Sequence, residues 1–232
     1  MRTLILSDIH LGSRHSNVAL LMDVLDREPF DRLILNGDTL HNVKLHKLMP
    51  QHWLILDRLR KIGKSRELIL MRGNHDHALD YLPGKPIDRL STANILPGLL
   101  EVPMREKYQL QVNGHSYLVM HGDRFDPTMS YPIVTEAAYL CYQVTTKINK
   151  KLAKWLKKKS KKFGGLLEIV RKNSIAHAQK ENLPGVILGH THFAEDIYED
   201  EIHYMNSGSW TETPCGYLTA DQQQITLHQL SD

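Results

Sequence analysis

Five apolar runs in this chain each lead into a polar block, always in that order. Leu4-Ile5-Leu6 leads into Ser7-Asp8-Ile9-His10, Leu33-Ile34-Leu35 into Asn36-Gly37-Asp38, and Leu68-Ile69-Leu70-Met71 into Gly73-Asn74-His75-Asp76. Tyr117-Leu118-Val119 leads into Met120-His121-Gly122-Asp123, and Val186-Ile187-Leu188 into Gly189-His190-Thr191-His192. Short runs of Ile, Leu and Val bounded by turn residues are the pattern of buried strands. Four of the blocks carry glycine beside a polar side chain, where the backbone can turn tightly. A chain patterned this way is constrained to a sheet that gathers distant side chains in a crevice at its strand ends.

The rest of the pattern agrees. Residues 1 to 125 alternate strand and helix, the signature of an α/β sheet protein. Val18, Leu21, Met22 and Leu25 fall at helical spacing behind a cap at Ser16 or Asn17. Trp53, Leu56, Leu59 and Ile62 predict a second amphipathic helix ending at Gly63. Asn113-Gly114 between the alternating runs 108–112 and 116–120 predicts a β-hairpin, hence mixed rather than purely parallel sheets. Residues 126 to 183 carry almost no strand signal and read as two helices broken at Gly164-Gly165, a helical insertion within a single domain spanning 1–232. The β pattern resumes at Gly185, with short strands at 217–219 and 225–230.

Composition narrows the setting. The two cysteines, Cys141 and Cys215, are far apart and in no metal-ligand spacing, which fits a reducing cytoplasm. The chain enters its first strand at once, without a signal-peptide pattern, and no apolar run approaches the roughly 20 residues that span a bilayer. The net charge of +3 is uneven: nine lysines and no acid lie between Lys147 and Lys162, leaving 20 basic against 26 acidic residues elsewhere. An amphipathic helix over 140–163, lysine-rich on one face and bearing Trp155, is expected to lie on an anionic membrane. Its plain alternative is a solvated basic helix packed on its own domain. Nucleic acid ranks third, because the lysines lack interleaved arginine and aromatic residues.

The blocks themselves offer Asp8, His10, Asp38, Asn74, His121, His190 and His192: carboxylate or amide oxygens and imidazoles, and no thiolate. Mixed O/N donors suit first-row divalent ions, Mn²⁺ first, with Fe²⁺ and Zn²⁺ as alternatives. On extended chain the i, i+2 spacing of Asp8/His10 and of His190/His192 puts each pair on one side, and Asp38 could bridge two ions. One Asp-x-His or Gly-Asp alone is usually a polar strand end or a turn. Five in one chain, each behind a strand, are not. The other nine histidines, His46, His52 and His228 among them, are expected to be surface or satisfied core groups.

In this order the blocks resemble the calcineurin-like metallophosphoesterases, whose motifs are D-x-H, G-D, G-N-H-D/E, H-G and G-H-x-H, over essentially the whole chain. The resemblance implies two mixed β-sheets sandwiched between helices (four layers, αββα) and two divalent metal ions. It implies a first metal on Asp8, His10 and His192, a second on Asn74, His121 and His190, and Asp38 as the bridge. His75 would face the substrate as a catalytic histidine and Asp76 would orient it. Asn74, His75 and Asp123 would meet the substrate. More narrowly, Ser7-Asp8-Ile9-His10-Leu11-Gly12, His121-Gly122-Asp123, the insertion, and Asn206-Ser207-Gly208-Ser209-Trp210 are similar to the UDP-2,3-diacylglucosamine hydrolases. That branch implies pyrophosphate cleavage of a nucleotide-linked lipid precursor by a cytoplasmic enzyme peripheral to the inner membrane. Two positions depart from it: His75 stands where those hydrolases carry arginine, and Gly208-Ser209-Trp210 where they carry Gly-Asp-Trp. A cytosolic phosphodiesterase or phosphatase of other specificity is the alternative enzyme. A non-catalytic scaffold of this fold is the alternative of a different class, although such scaffolds lose ligands and none is lost here.

Overall fold

A computed structural model describes residues 1–41, 45–77, 92–130 and 165–231. The lysine-rich stretch 147–162, Trp155 and most of the expected insertion lie outside the described residues.

Every strand run predicted from the sequence is a strand. In one sheet β1 (Thr3–Leu6), β2 (Arg32–Asn36), β3 (Glu67–Met71) and the short β4 (Met104–Arg105) run parallel. The second sheet begins with the hairpin β5 (Tyr108–Val112) and β6 (His115–Val119), which turns at Asn113-Gly114 as expected. Next to β6 lies β7 (Gly185–Leu188), parallel to it, and the hairpin β8 (Glu195–Glu199) and β9 (Ile202–Asn206) completes the sheet. β10 (Cys215–Ala220) and β11 (Ile225–Leu230) return to the first sheet, antiparallel beside β1. The orders are β11-β10-β1-β2-β3-β4 and β5-β6-β7-β9-β8, so both sheets are mixed.

Strand parity explains the layers. Side chains alternate between the two faces of a strand. Ile5, Ile34, Ile69, Val119, Ile187, Met205 and Leu218 meet in one core between the sheets. Their neighbours Leu4, Leu6, Leu33, Leu35, Leu68 and Leu70 pack on helices α1 (Val18–Arg27), α2 (Pro50–Ser65) and α3 (Thr92–Leu100). Leu118, Val186, Leu188, Ile202 and Tyr204 pack on α4 (Leu166–Lys180). Helix, sheet, sheet, helix: this is the four-layer α/β architecture expected. The continuous apolar runs exist because each strand is covered on both faces.

The helices correct two details. Asn17 caps α1, its Oδ1 accepting from the Leu20 amide at 3.3 Å. On α2 the buried side chains are His52, Ile55, Leu56, Leu59 and Ile62, and Trp53 is 42% exposed rather than on the apolar face. The helix also runs past Gly63 to Ser65. Gly63 serves close packing, since a Cβ there would stand 3.2 Å from Leu68 Cδ2 on β3.

Candidate metal centre

The five blocks follow β1, β2, β3, β6 and β7 and converge across the seam between the two sheets. Asn36 pins that seam, its Nδ2 donating to the Met120 carbonyl at 3.0 Å. Three strand ends of one sheet thus face two of the other.

The expected ligands lie just beyond their strands, and five of the seven occupy left-handed backbone: Asp8 (φ 53°), His10 (51°), Asp38 (50°), His190 (64°) and His192 (63°). This corrects the extended-chain reading of the i, i+2 pairs. Each side chain is swung inward by its own turn, with Ile9 and Thr191 between. Non-glycine residues held in this region cost on the order of 1–3 kcal/mol each and persist only where the surroundings fix them. Here they are fixed: the His10 amide donates to the Asp38 carbonyl (2.9 Å), the His190 amide to Asp8 Oδ2 (2.9 Å), and the Trp210 amide to the Asp8 carbonyl (3.2 Å). Close approach demands two of the glycines. A Cβ on Gly189 would sit 2.6 Å from Asp8 Oδ2, and one on Gly73 would collide with Asp38.

Two clusters result. Around Asp8, the His192 Nε2 lies 3.1 Å from Asp8 Oδ1, and His10 Nε2 lies 3.1 Å from His192 Nε2 and 3.8 Å from Asp8 Oδ1. Around Asn74, its Oδ1 lies 3.2 Å from His121 Nε2 and 2.9 Å from His190 Nδ1. Asp38 stands between them, with Oδ2 3.7 Å from His10 Nε2 and 3.4 Å from His121 Nε2. Ligand atoms of Asp8, His10 and His192, and likewise of Asp8, Asp38 and His121, all fall within 4.8 Å of one another. Asp8, His10, Asp38 and His121 are buried, and Asp8 Oδ1 has no hydrogen-bond partner. A buried carboxylate oxygen facing two imidazole nitrogens needs a positive charge beside it, and the residues fit divalent metal ions.

Ring nitrogens are oriented from behind. The backbone carbonyl of Asn36 accepts from His121 Nδ1–H (2.9 Å), leaving Nε2 as the inward lone pair. Asp126 Oδ2 accepts from His190 Nε2–H (2.8 Å), leaving Nδ1 inward. Thr211 Oγ1 sits 3.4 Å from His192 Nδ1. This is the support that metal-binding imidazoles need. Electrostatics follow the geometry. Burial would raise the Asp8 and Asp38 carboxyls, but the imidazoles beside them hold both below the usual range. Burial would lower His121, and the Asp38 and Asp8 charges outweigh it and raise it. His10 is pushed well down, chiefly by burial.

His75 and Asp76, the expected catalytic pair, do not contact each other as expected. His75 Nδ1 lies 2.9 Å from the His41 carbonyl, and its Nε2 lies 4.0 Å from Asp38 Oδ2. Asp76 is buried and turns away from that ring: its Oδ2 accepts from the amides of Gly73 (2.9 Å) and Asp38 (3.1 Å). Burial, then the Asp38 charge, raises the Asp76 carboxyl to about 7. Asp76 therefore fixes the turns that carry Asp38 and Asn74, while the backbone at His41 fixes His75. Asp123 opens a short 3-10 turn beside His121 and is partly exposed.

Three contributors carried no block signal. Asp126 accepts from Thr128 as well as from His190. His41 brings its carbonyl to His75 and stacks its ring on it at 5.3 Å. His52 Nδ1 accepts from the amides of Gly12 (3.2 Å) and Met49 (3.1 Å), tying the loop after His10 to α2.

The calcineurin-like phosphoesterase family profile matches residues 1–194. The chain belongs to that family, which points to metal-dependent phosphoester hydrolysis. Among solved structures, a single-mutant Vps29 from Entamoeba histolytica is similar at TM-score 0.53 and 16% identity, covering 100% of this chain and 94% of that one. YfcE, a phosphoesterase from E. coli, is similar at 0.51 and 17%, covering 100% of both chains. An archaeal phosphodiesterase is similar at 0.51 and 13%, covering 99% of this chain and 100% of that one. At these identities the likeness is one of fold. No curated protein sequence matches the chain. Among the described residues no helix is long and apolar enough to cross a membrane.

Proposed function

We propose that this chain hydrolyses a phosphoric ester or anhydride with two divalent ions. Asp8, His10 and His192 would hold one, Asn74, His121 and His190 the other, and Asp38 would lie between them. The observation carrying this reading is the convergence of oxygens and oriented imidazole nitrogens across the sheet seam. When bound, such ions neutralise phosphoryl oxygens and lower the pKa of a water between them. Mixed oxygen and imidazole donors suit first-row divalent ions, Mn²⁺ being our first candidate and Fe²⁺ and Zn²⁺ the alternatives.

The rest falls to the protein. A carbonyl can only accept, so the contact with His41 makes His75 Nδ1 the proton-bearing nitrogen and turns Nε2 toward the site. From there a His75 protonated at both nitrogens hands its Nε2 proton to the leaving oxygen, keeping Nδ1–H on the His41 carbonyl, or steadies the phosphoryl charge. Asp76 serves at one remove, through the amides it holds. Asn74 and Asp123 border the space left for substrate.

For the substrate, a nucleotide-linked lipid precursor related to UDP-diacylglucosamine, cut at its pyrophosphate, is supported by Ser7–Gly12, Asn206–Trp210 and the lysines of 147–162, which suit an anionic membrane. A phosphodiesterase or phosphatase of other specificity is favoured by one residue, His75, which stands where the lipid hydrolases carry arginine. Turnover of UDP-diacylglucosamine beside bis(p-nitrophenyl) phosphate with Mn²⁺ decides between them. The lipid reading expects UMP release from the first; turnover of the second alone rejects it. Turnover of neither, nor of p-nitrophenyl phosphate, by metal-loaded protein rejects hydrolysis and favours a scaffold. His75→Ala should lower kcat by about 10²–10⁴ with unchanged ion stoichiometry, as for loss of an acid–base group.

A further inference from the structure

Two hydroxyls behind the site connect a pair of its expected ligands. Ser209 and Thr211 flank the buried Trp210 in the segment after β9. Ser209 Oγ lies 3.3 Å from the Asp8 carbonyl and 2.9 Å from Thr211 Oγ1, which lies 3.4 Å from His192 Nδ1. Three contacts thus run from the ring of His192 to the backbone of Asp8. The Thr211 amide donates to Ser209 Oγ at 3.0 Å, and the Trp210 amide to the same Asp8 carbonyl at 3.2 Å.

Only one arrangement of protons fills all three contacts. A carbonyl can only accept, so the Ser209 hydroxyl must donate to Asp8. The Ser209–Thr211 contact then needs the Thr211 proton. Thr211 Oγ1 is left with lone pairs for His192, whose Nδ1 must supply the last proton. With the Thr211 amide included, Ser209 Oγ donates once and accepts twice, the full complement of a hydroxyl. The Glu212 carboxylate, 4.0 Å from His192 Nδ1, also favours a proton there. The Nε2 lone pair then faces Asp8 Oδ1 at 3.1 Å, and two acceptors so close need a cation beside them.

We propose that Ser209 and Thr211 are positioning residues, a hydroxyl relay that fixes the tautomer of His192 and so sets the affinity of the first ion. The ion half of this inference rests on the two-ion reading; the tautomer half does not. The second position is held by other groups, the Asn36 carbonyl behind His121 and Asp126 behind His190. An ionised aspartate at position 209, the residue type of the UDP-2,3-diacylglucosamine hydrolases, has no proton for the Asp8 carbonyl and could not close the relay.

Titration calorimetry of the metal-free protein with Zn²⁺ tests the ion half. Thr211→Val keeps the shape and removes the hydroxyl, Thr211→Ser restores it, and Ser209→Ala cuts the far end. Thr211→Val and Ser209→Ala should weaken one of two binding events by about 10–100-fold, and Thr211→Ser much less. The weakened event should be the one that Asp126→Ala spares. Imidazole ¹⁵N NMR tests the tautomer half. The His192 Nδ1 proton should exchange with water about tenfold faster in Thr211→Val, as for loss of one hydrogen bond, and at the native rate in Thr211→Ser. Equal affinities in native and folded variant chains overturn the control of the ion. A His192 ring with no proton on Nδ1 overturns the relay itself. A native chain that binds no divalent ion rejects the two-ion reading, and the NMR result alone then decides the relay.

Discussion

At the scale of single residues, the orientation of His190 depends on a carboxylate 64 positions away in sequence. Asp126 is buried, and its burial opposes ionisation, but hydrogen bonds from His190 and Thr128 hold its carboxyl below the ordinary value. Asp126→Ala should weaken divalent-ion affinity by about 10–100-fold, read by titration calorimetry, with Asp126→Asn intermediate. His52 makes a second prediction. Its Nδ1 must stay unprotonated to accept two amides, and burial lowers its pKa. The unfolded chain therefore binds a proton that the folded chain refuses. This contribution to stability is present above the unfolded value of about 6.5 and is lost as pH falls toward the depressed folded value. In His52→Asn, whose amide oxygen replaces Nδ1, denaturant midpoints with chelator present should fall less between pH 7.5 and 5 than in the native chain. An equal fall would remove His52 as the cause. These two residues also mark where sequence reading stopped. The seven expected ligands stood out because each follows a strand. Asp126 advertises only a local turn to Thr128, and His52 looks like any polar residue near a helix start. Their partners are visible only once the chain has folded.

Among the elements, two hairpins make the same turn from different residues. Asn113-Gly114 and Asp200-Glu201 both join adjacent antiparallel strands with two residues of positive φ. The first was legible because asparagine and glycine tolerate that backbone. The second was hidden because glutamate does not advertise it, and its register is set by burial of Ile202 and Tyr204. Glu201→Gly should relieve a left-handed side chain and stabilise the fold by roughly 1 kcal/mol in urea unfolding. Gly114→Ala should cost a similar amount. The helices were misread at the edges for a related reason. Glycine near a helix end suggests a stop, whereas Gly63 answers to Leu68 on the neighbouring strand. A tryptophan suggests a buried face, whereas Trp53 stands outside it.

Across the whole molecule, the candidate metal centre and the core between the sheets are expected to report on each other. Ile187 lies in that core, one residue before Leu188 and the turn to His190. Leu25, on the buried face of α1, lies in the core between the helices and the first sheet, away from the seam. Ile187→Ala and Leu25→Ala should each destabilise by about 2–5 kcal/mol. Only the former should also weaken ion binding, because only it loosens one sheet against the other. Ion at a hundredfold excess over its Kd should add about 2.7 kcal/mol to the native chain, so chelation lowers its Tm. Equal ion affinities in the two variants would show that the site does not sense the seam. The architecture itself was readable from parity and order, since each predicted strand alternates its faces between two cores. The side chains that finish the site were not, because they are joined by distance rather than by pattern.

His10 and His192 stand 3.1 Å apart at their ring tips although 182 positions separate them in the chain. During synthesis the first ligands leave the ribosome long before the last exist. An ion captured early would meet only fragments of its site, and the left-handed turns that aim the ligands would lack the partners that hold them. The full set of candidate ligands therefore exists only once residues from both ends of the chain have been made and folded together. Until then, the acid and imidazole groups near the N-terminus lack the partners that 182 further positions supply.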